Sequence, residues 1–122
     1  MIGYLTLGTN DLPRAARFYD ELLALLGATR GMETERYVGW TTGDAATMLL
    51  LIKPFDGGMA TPGNGSMVAL AAGSRDQVAA VHARALSLGA RDEGAVGPRG
   101  EHFFGGYFRD FDGNKLAVFT MT

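Results

Sequence analysis

The stretch YFRDFDGNKLAVF, residues 107–119, sets two carboxylates, Asp110 and Asp112, beside a Gly-Asn pair. Read as a calcium loop, it would need glycine at its sixth position and a bidentate glutamate at its twelfth. Counted from Asp110, glycine comes fourth and the twelfth position is Met121, so the match fails. Read as a general acid/base pair, the two acids find no second constellation in the chain to work with. Read as a hairpin, every residue has a use. Asp and Asn side chains accept hydrogen bonds from the turn backbone, and Gly113 supplies a positive φ. The stretch therefore predicts two strands, at 103–109 and 115–121, joined by a tight turn.

Upstream of this hairpin the chain runs through one pattern twice. Residues 2–8, IGYLTLG, alternate like a strand. In TNDLPRAARFYDELLALLG, Asp11 or Asn10 caps a helix and Pro13 suits its first turn. Ala15, Phe18, Tyr19, Leu22 and Leu26 give the helix an apolar face, and Arg17 can pair with Asp20 and Glu21 on the wet side. Gly27 ends it as a left-handed cap. Strands are expected at about 29–35, 37–42 and 46–53. After the Pro- and Gly-rich segment 54–65 the pattern restarts: a strand at 66–72, a capping box from Ser74 and Gln77, a helix with Val78, Val81, Ala85 and Leu88 inward, and Gly89 closing it. Residues 90–102 read as loop-rich. A shift of 63 lays Tyr4 on Met67, Leu7 on Leu70, Asp11 on Ser74 and Tyr19 on His82, whereas Gly27 and Gly89 match at 62, which implies one extra residue in the first helix. Each half reads as a βαβββ module. Two such halves predict an α+β fold, a curved mixed sheet with the helices on its convex side and a concave side free to form a pocket.

Length and composition agree. A chain of 122 residues predicts a single domain over 1–122, with module one at about 1–53, a linker at 54–65 and module two at about 66–122. The 18 glycines argue for many turns and against an all-helical fold. A formal charge of -2 gives no electrostatic footprint for nucleic acid. The absence of cysteine excludes disulfides, thiolate zinc sites and a cysteine nucleophile, and fits a reducing compartment. The N-terminal residues lack the basic region of a signal peptide, and MLLLI at 48–52 is too short to cross a membrane, so a cytoplasmic protein without membrane partners is expected.

The hairpin YFRDFDGNKLAVF is similar to the terminal hairpin F-x-D-P-D-G-N-x-x-E of the glyoxalase / bleomycin-resistance / extradiol dioxygenase superfamily, also called vicinal oxygen chelate proteins. MIGYLTLGTNDLPRAARFYDELLALLG resembles that family's opening strand and helix, and GNGSMVALAAGSRDQVAAVHARALSLGA its second strand and helix. The resemblance spans nearly the whole chain and implies paired βαβββ modules and, commonly, a homodimer. Metal-dependent members hold a divalent ion with His, Glu or Gln from four strands. By resemblance these positions fall on Tyr4, on Met67, on Ala117 and near Met48 or Leu50. Alanine has no donor, a thioether is unsuited to hard or borderline ions, and a phenol would need a depressed pKa. The expectation is no metal and no cofactor.

Strand alternation then sets the pocket. Tyr4, Thr6, Met67, Ala69, Lys115, Ala117 and Phe119 are expected on the concave side, and Leu5, Leu7, Val68, Leu70, Leu116 and Val118 against the helices. Trp40, Phe104 and Tyr107 are candidate aromatic walls of undetermined direction. His82 reads as a structural or surface residue, and His102 as a loop histidine at the pocket mouth, a candidate ligand contact or proton donor. The predicted ligand-binding set is Tyr4, Trp40, Met67, His102, Phe104, Tyr107 and Ala117. Two functions fit these residues. One is a metal-free protein that sequesters a planar or amphipathic small molecule; the other is a glyoxalase-like lyase or dioxygenase-type enzyme with atypical or no metal ligands.

Overall fold

A computed structural model of the chain describes residues 1–44 and 46–122. They form two compact units, Met1–Thr61 and Pro62–Thr122. The boundary falls inside the Pro- and Gly-rich segment.

The first unit runs β1 (Tyr4–Gly8), α1 (Leu12–Ala24), β2 (Thr29–Glu33), β3 (Tyr37–Thr41) and β4 (Met48–Ile52). Its strands form a four-stranded mixed sheet in the order β1-β4-β3-β2, with β1 parallel to β4 and the other pairs antiparallel. Asp11 is the helix cap, its carboxylate accepting from the Arg14 amide at 3.2 Å. Asn10 does a different job: its side chain accepts from the Ala60 amide at 2.7 Å and donates to the Ala60 carbonyl at 3.1 Å, tying the end of the unit to the start of α1. Ala15, Phe18, Tyr19 and Leu22 are buried as the helical period requires.

The second unit repeats the order with β5 (Val68–Ala71), α2 (Arg75–Ser87), β6 (Arg91–Arg99), β7 (Phe103–Arg109) and β8 (Lys115–Met121). Its sheet order is β5-β8-β7-β6, again with one parallel pair, β5 with β8. Ser74 caps α2 by accepting from the Gln77 amide at 3.1 Å. The Gln77 side chain reaches back to the Gly73 amide at 2.6 Å, one residue beyond the usual capping-box partner. Val78, Val81 and Ala85 are fully buried beneath it, with Leu116 and Val118 of β8.

Three expectations are corrected. Residues 90–102 are not mainly loop: β6 occupies Arg91–Arg99, an edge strand whose register slips between Asp92 and Gly94 and again between Gly94 and Gly97. Bulges and glycines break the period-two pattern by which a strand is recognised. The two helices are equally long, 13 residues each. The extra residue of the first half lies after the C-cap, between Leu25 and Gly27, where Leu88 is followed directly by Gly89. Asp20 does not pair along its own helix with Arg17. It turns to Arg30 on β2 in a two-pronged ion pair at 2.7 and 2.8 Å.

The terminal hairpin turn is as expected. Asp110 Oδ1 accepts from the amides of Asp112 at 3.0 Å and Asn114 at 2.9 Å, and Oδ2 accepts from the Asn114 side-chain amide at 3.0 Å. Gly113 has φ 85°. Asp110 and Asn114 are both buried, and these bonds meet the cost of taking a carboxylate and an amide out of water.

Candidate functional site

Each sheet has one face under its helix and one face away from it. In the first unit Val38 and Trp40 pair with Leu51 and Leu49, and all four are buried. Trp40 lies 5.8 Å from the Tyr19 ring of α1 and donates its indole N–H to Asp20 at 2.9 Å. Trp40 is therefore a pillar beneath α1, on the helix side of its sheet. Its direction escaped the sequence because its partners come from α1 and β2. Arg30 and the indole together hold the Asp20 carboxyl below the usual aspartate range, the Arg30 hydrogen bond contributing most, against a smaller opposing effect of burial. Arg30 is correspondingly raised.

The other face of the first sheet carries Tyr4, Thr6, Met48 and Leu50, which are register partners across β1 and β4. Tyr4 is 67% exposed, and Met48 lies across Gly39, where an added Cβ would come within 2.8 Å of its sulfur. These four side chains are a phenol, a hydroxyl, a thioether and an isobutyl group, with no carboxylate or imidazole among them.

The second unit is chemically richer. On its helix side, Phe108 and the buried His82 form an edge contact, and His82 Nε2 lies 3.1 Å from the Tyr107 carbonyl and 3.3 Å from Asp92. His82 is thus a structural residue of α2. Phe104 belongs to this side too, with the Arg75 guanidinium 4.8 Å over its ring. On the open side, Tyr107 and Ala117 are register partners, and Ala117 pairs in turn with Ala69 of β5. Met67 precedes β5 and is 46% exposed. Tyr107 carries two cations over its ring, Arg99 at 5.6 Å and Lys115 at 5.4 Å.

Farther along the same face Phe103 and Phe119 stack with centroids 5.3 Å apart and planes 5° from parallel. Phe103 was absent from the predicted set, in which Phe104 stood instead. Counting back by twos from Tyr107 points to Phe103, but the Gly105–Gly106 pair between them erases the hydrophobic alternation. Gly105 is also required there: a Cβ would come within 2.8 Å of both the Phe103 ring and the Val118 carbonyl. Gly94 plays the same part for Tyr107, whose ring leaves only 2.9 Å for an added Cβ.

His102 stands apart from this set. It is in the β6–β7 turn, its ring Nδ1 2.9 Å from the Thr122 carbonyl and its Nε2 3.7 Å from the exposed Glu101. The structure thus gathers Met67, Tyr107 and Ala117 on one face of the second sheet. It turns Trp40 and Phe104 toward helices, places Tyr4 on the open face of the first sheet, and ties His102 to the chain's last residue.

The four positions at which the resemblance would put metal donors do not fit a divalent ion. They offer a phenol, a thioether, a buried methyl group and the side chains of Met48 or Leu50. Among the described residues no three His, Cys, Asp or Glu side chains come together in a metal-holding cluster. No helix among them is long and apolar enough to cross a membrane.

A family model described as Glyoxalase/Bleomycin resistance protein/Dioxygenase superfamily matches residues 1–118. Among solved structures, the chain is similar to a glyoxalase/bleomycin resistance protein from Albidiferax ferrireducens T118, at 33% identity over 98% of both chains and a TM-score of 0.90. A lactoylglutathione lyase from Agrobacterium tumefaciens (22% identity, 98% of this chain and 92% of that one, TM-score 0.71) shares the fold. So does the fosfomycin resistance protein FosX from Listeria monocytogenes (17% identity, 100% and 93%, TM-score 0.75). Comparison with curated proteins finds no match. With both βαβββ modules in place and the family pattern running through residue 118, the chain belongs to the glyoxalase/bleomycin resistance protein/dioxygenase superfamily.

Proposed function

We propose that this protein binds a planar or amphipathic small molecule without a metal ion, and that the open face of the second sheet supplies the main contact surface. The observation that carries the reading is that half-buried aromatic rings share that face with positions that hold no metal donor. Tyr107 and the Phe103–Phe119 stack offer aromatic surface for a flat ligand. The neighbouring Met67 and Ala117, at positions where metal-dependent relatives keep donors, offer none. Binding by stacking and exclusion of water breaks no bond and needs no catalytic set. The residues proposed as direct contacts are Tyr107 and Met67, with Phe103 and Phe119 beside them; Ala117 is fully buried and backs this face as the register partner of Tyr107.

The two modules act together as one domain in this reading, and the protein works as a homodimer in the cytoplasm. Exposed Tyr4, Met32 and Met121 are the kind of apolar surface a second copy would cover. Light scattering at micromolar concentration checks the dimer.

The test of function is a thermal-shift screen with small aromatic compounds in the presence of a chelator. A saturable rise in melting temperature that disappears in Tyr107→Ala and Phe119→Ala supports the reading. A rise that survives both substitutions, or that requires an added divalent metal, overturns it and favours an enzyme of the lyase or dioxygenase type.

A further inference from the structure

The second unit contains a groove of about 540 Å³ bounded by the loop 62–67, Arg109 and Lys115. Its charged lining has one sign. Arg109 and Lys115 line it together with Asn64 and Ser66 of the loop, and among the described residues no Asp or Glu lines it. The chain as a whole is slightly acidic, with a formal charge of -2, so this local excess runs against the average.

The two cations are differently occupied. Lys115 makes no ion pair among the described residues; its ammonium stands 5.4 Å from the centre of the Tyr107 ring. Arg109 donates from Nη1 to the Gly113 carbonyl at 2.9 Å and from Nη2 to Glu93 at 3.1 Å, while its Nε is buried and donates to no described residue. Glu93 pairs with this cluster through Arg109. Its carboxyl is held below the usual range, first by the Arg109 hydrogen bond and then by the charges of Arg109, Lys115 and Arg91. Arg99 also stands over the Tyr107 ring, at 5.6 Å, and its guanidinium donates to the carbonyls of Ala95 at 2.7 Å and Pro98 at 3.4 Å.

We propose that this groove is an oxyanion subsite, in which Lys115 and Arg109 hold the phosphate or carboxylate group of a small molecule. Lys115 belongs both to the groove and to the Tyr107 face, so an anionic group seated there leaves the remainder of the molecule against the aromatic surface. The volume is that of a metabolite-sized ligand and exceeds what an inorganic anion fills. The inference deepens the small-molecule reading above and rests on it for the rest of the ligand. The ligand class it names is an aromatic or amphipathic acid. Glu93 occupies Arg109 and would compete with an incoming anion for it.

The test is titration of the full chain with inorganic phosphate, and separately with acetate, at fixed ionic strength in chloride, followed by amide NMR. Saturable shifts confined to residues 62–67 and the β7–β8 hairpin are expected, from phosphate, acetate or both; the stronger arm identifies the oxyanion. Lys115→Met should weaken that binding by about threefold to tenfold, the range expected for losing one partly exposed charge contact. Glu93→Gln should tighten it by a similar factor by releasing Arg109. Asp76→Asn, on α2 at the other side of the sheet, changes net charge equally and should leave it unaltered. Shifts that fail to saturate, or equal tightening in Glu93→Gln and Asp76→Asn, mark a general surface-charge effect and overturn the proposal. If aromatic compounds bind the protein but neither anion does, the subsite fails while the small-molecule reading stands. If the anions bind as described but no aromatic compound does, the subsite stands and the aromatic reading fails.

Discussion

The two units repeat one topology but distribute their aromatic residues differently over its two faces. The first places Phe18, Tyr19 and Trp40 beneath its helix and leaves a plain apolar face of Tyr4, Thr6, Met48 and Leu50. The second fills the space beneath its helix with Val78, Val81, Leu116, Val118, Phe108 and His82, and puts Phe103, Tyr107 and Phe119 on the open side with cations around them. A repeated fold thus puts its largest aromatic cluster under the helix in one module and an aromatic group on the open face in the other; the proposed function assigns the second group to ligand.

Paired truncations break or sharpen that contrast most strongly. Trp40→Ala removes a buried indole and strips Asp20 of a donor, and should cost about 3–5 kcal/mol of unfolding free energy by urea titration. Tyr107→Ala, on the open face, should cost under about 1 kcal/mol yet abolish ligand-dependent stabilisation. Equal losses would erase the distinction between the two faces.

Gly105→Ala should come next, at about 1–3 kcal/mol, because the new methyl group meets the Phe103 ring and the Val118 carbonyl. Near-ultraviolet circular dichroism should report the disturbed Phe103–Phe119 stack. Gly3→Ala has nothing within 4 Å of its added Cβ and serves as the neutral comparison.

Acid should act more weakly, and through the first unit. The Asp20 carboxyl is depressed in the folded protein, so its contribution to stability is fully present above the ordinary aspartate pKa near 4 and is lost as pH falls through the lower folded value. The pair is partly exposed, and solvent screening keeps this contribution to about 1 kcal/mol or less. Urea titrations from pH 5 down to pH 2 on wild type and Asp20→Asn should converge at the acid end. Curves that stay parallel would show that the ion pair has no linkage to stability.

What could be read from the sequence was whatever is decided locally. The Asp110–Asn114 turn, the Asp11 and Ser74 caps and the left-handed Gly27 and Gly89 are short-range chemistry, written in adjacent residues. The faces of strands were legible where apolar and polar residues alternate, as in β1 and β8. They were lost in β7, where Gly105 and Gly106 remove the alternation, and Phe104 was favoured over Phe103 for that reason. β6 was missed because its bulges and glycines hide its period. The direction of Trp40 could not be read because it depends on Asp20 and Tyr19, about 20 residues earlier in the chain. The cationic groove needed three dimensions, since loop 62–67 meets Arg109 and Lys115 only through the parallel pairing of β5 with β8.

The central claim is that this member of a family known for metal chemistry binds its ligand without metal. Elemental analysis after equilibrium dialysis of the wild-type protein against manganese, nickel and zinc, with Ala117→Glu alongside, tests it most directly. Both proteins should retain far less than one metal ion per chain, because the substitution adds a single carboxylate and leaves a phenol at Tyr4 and a thioether at Met67 where the resemblance would put donors. One tightly held ion per wild-type chain, or its appearance in Ala117→Glu alone, would contradict the account.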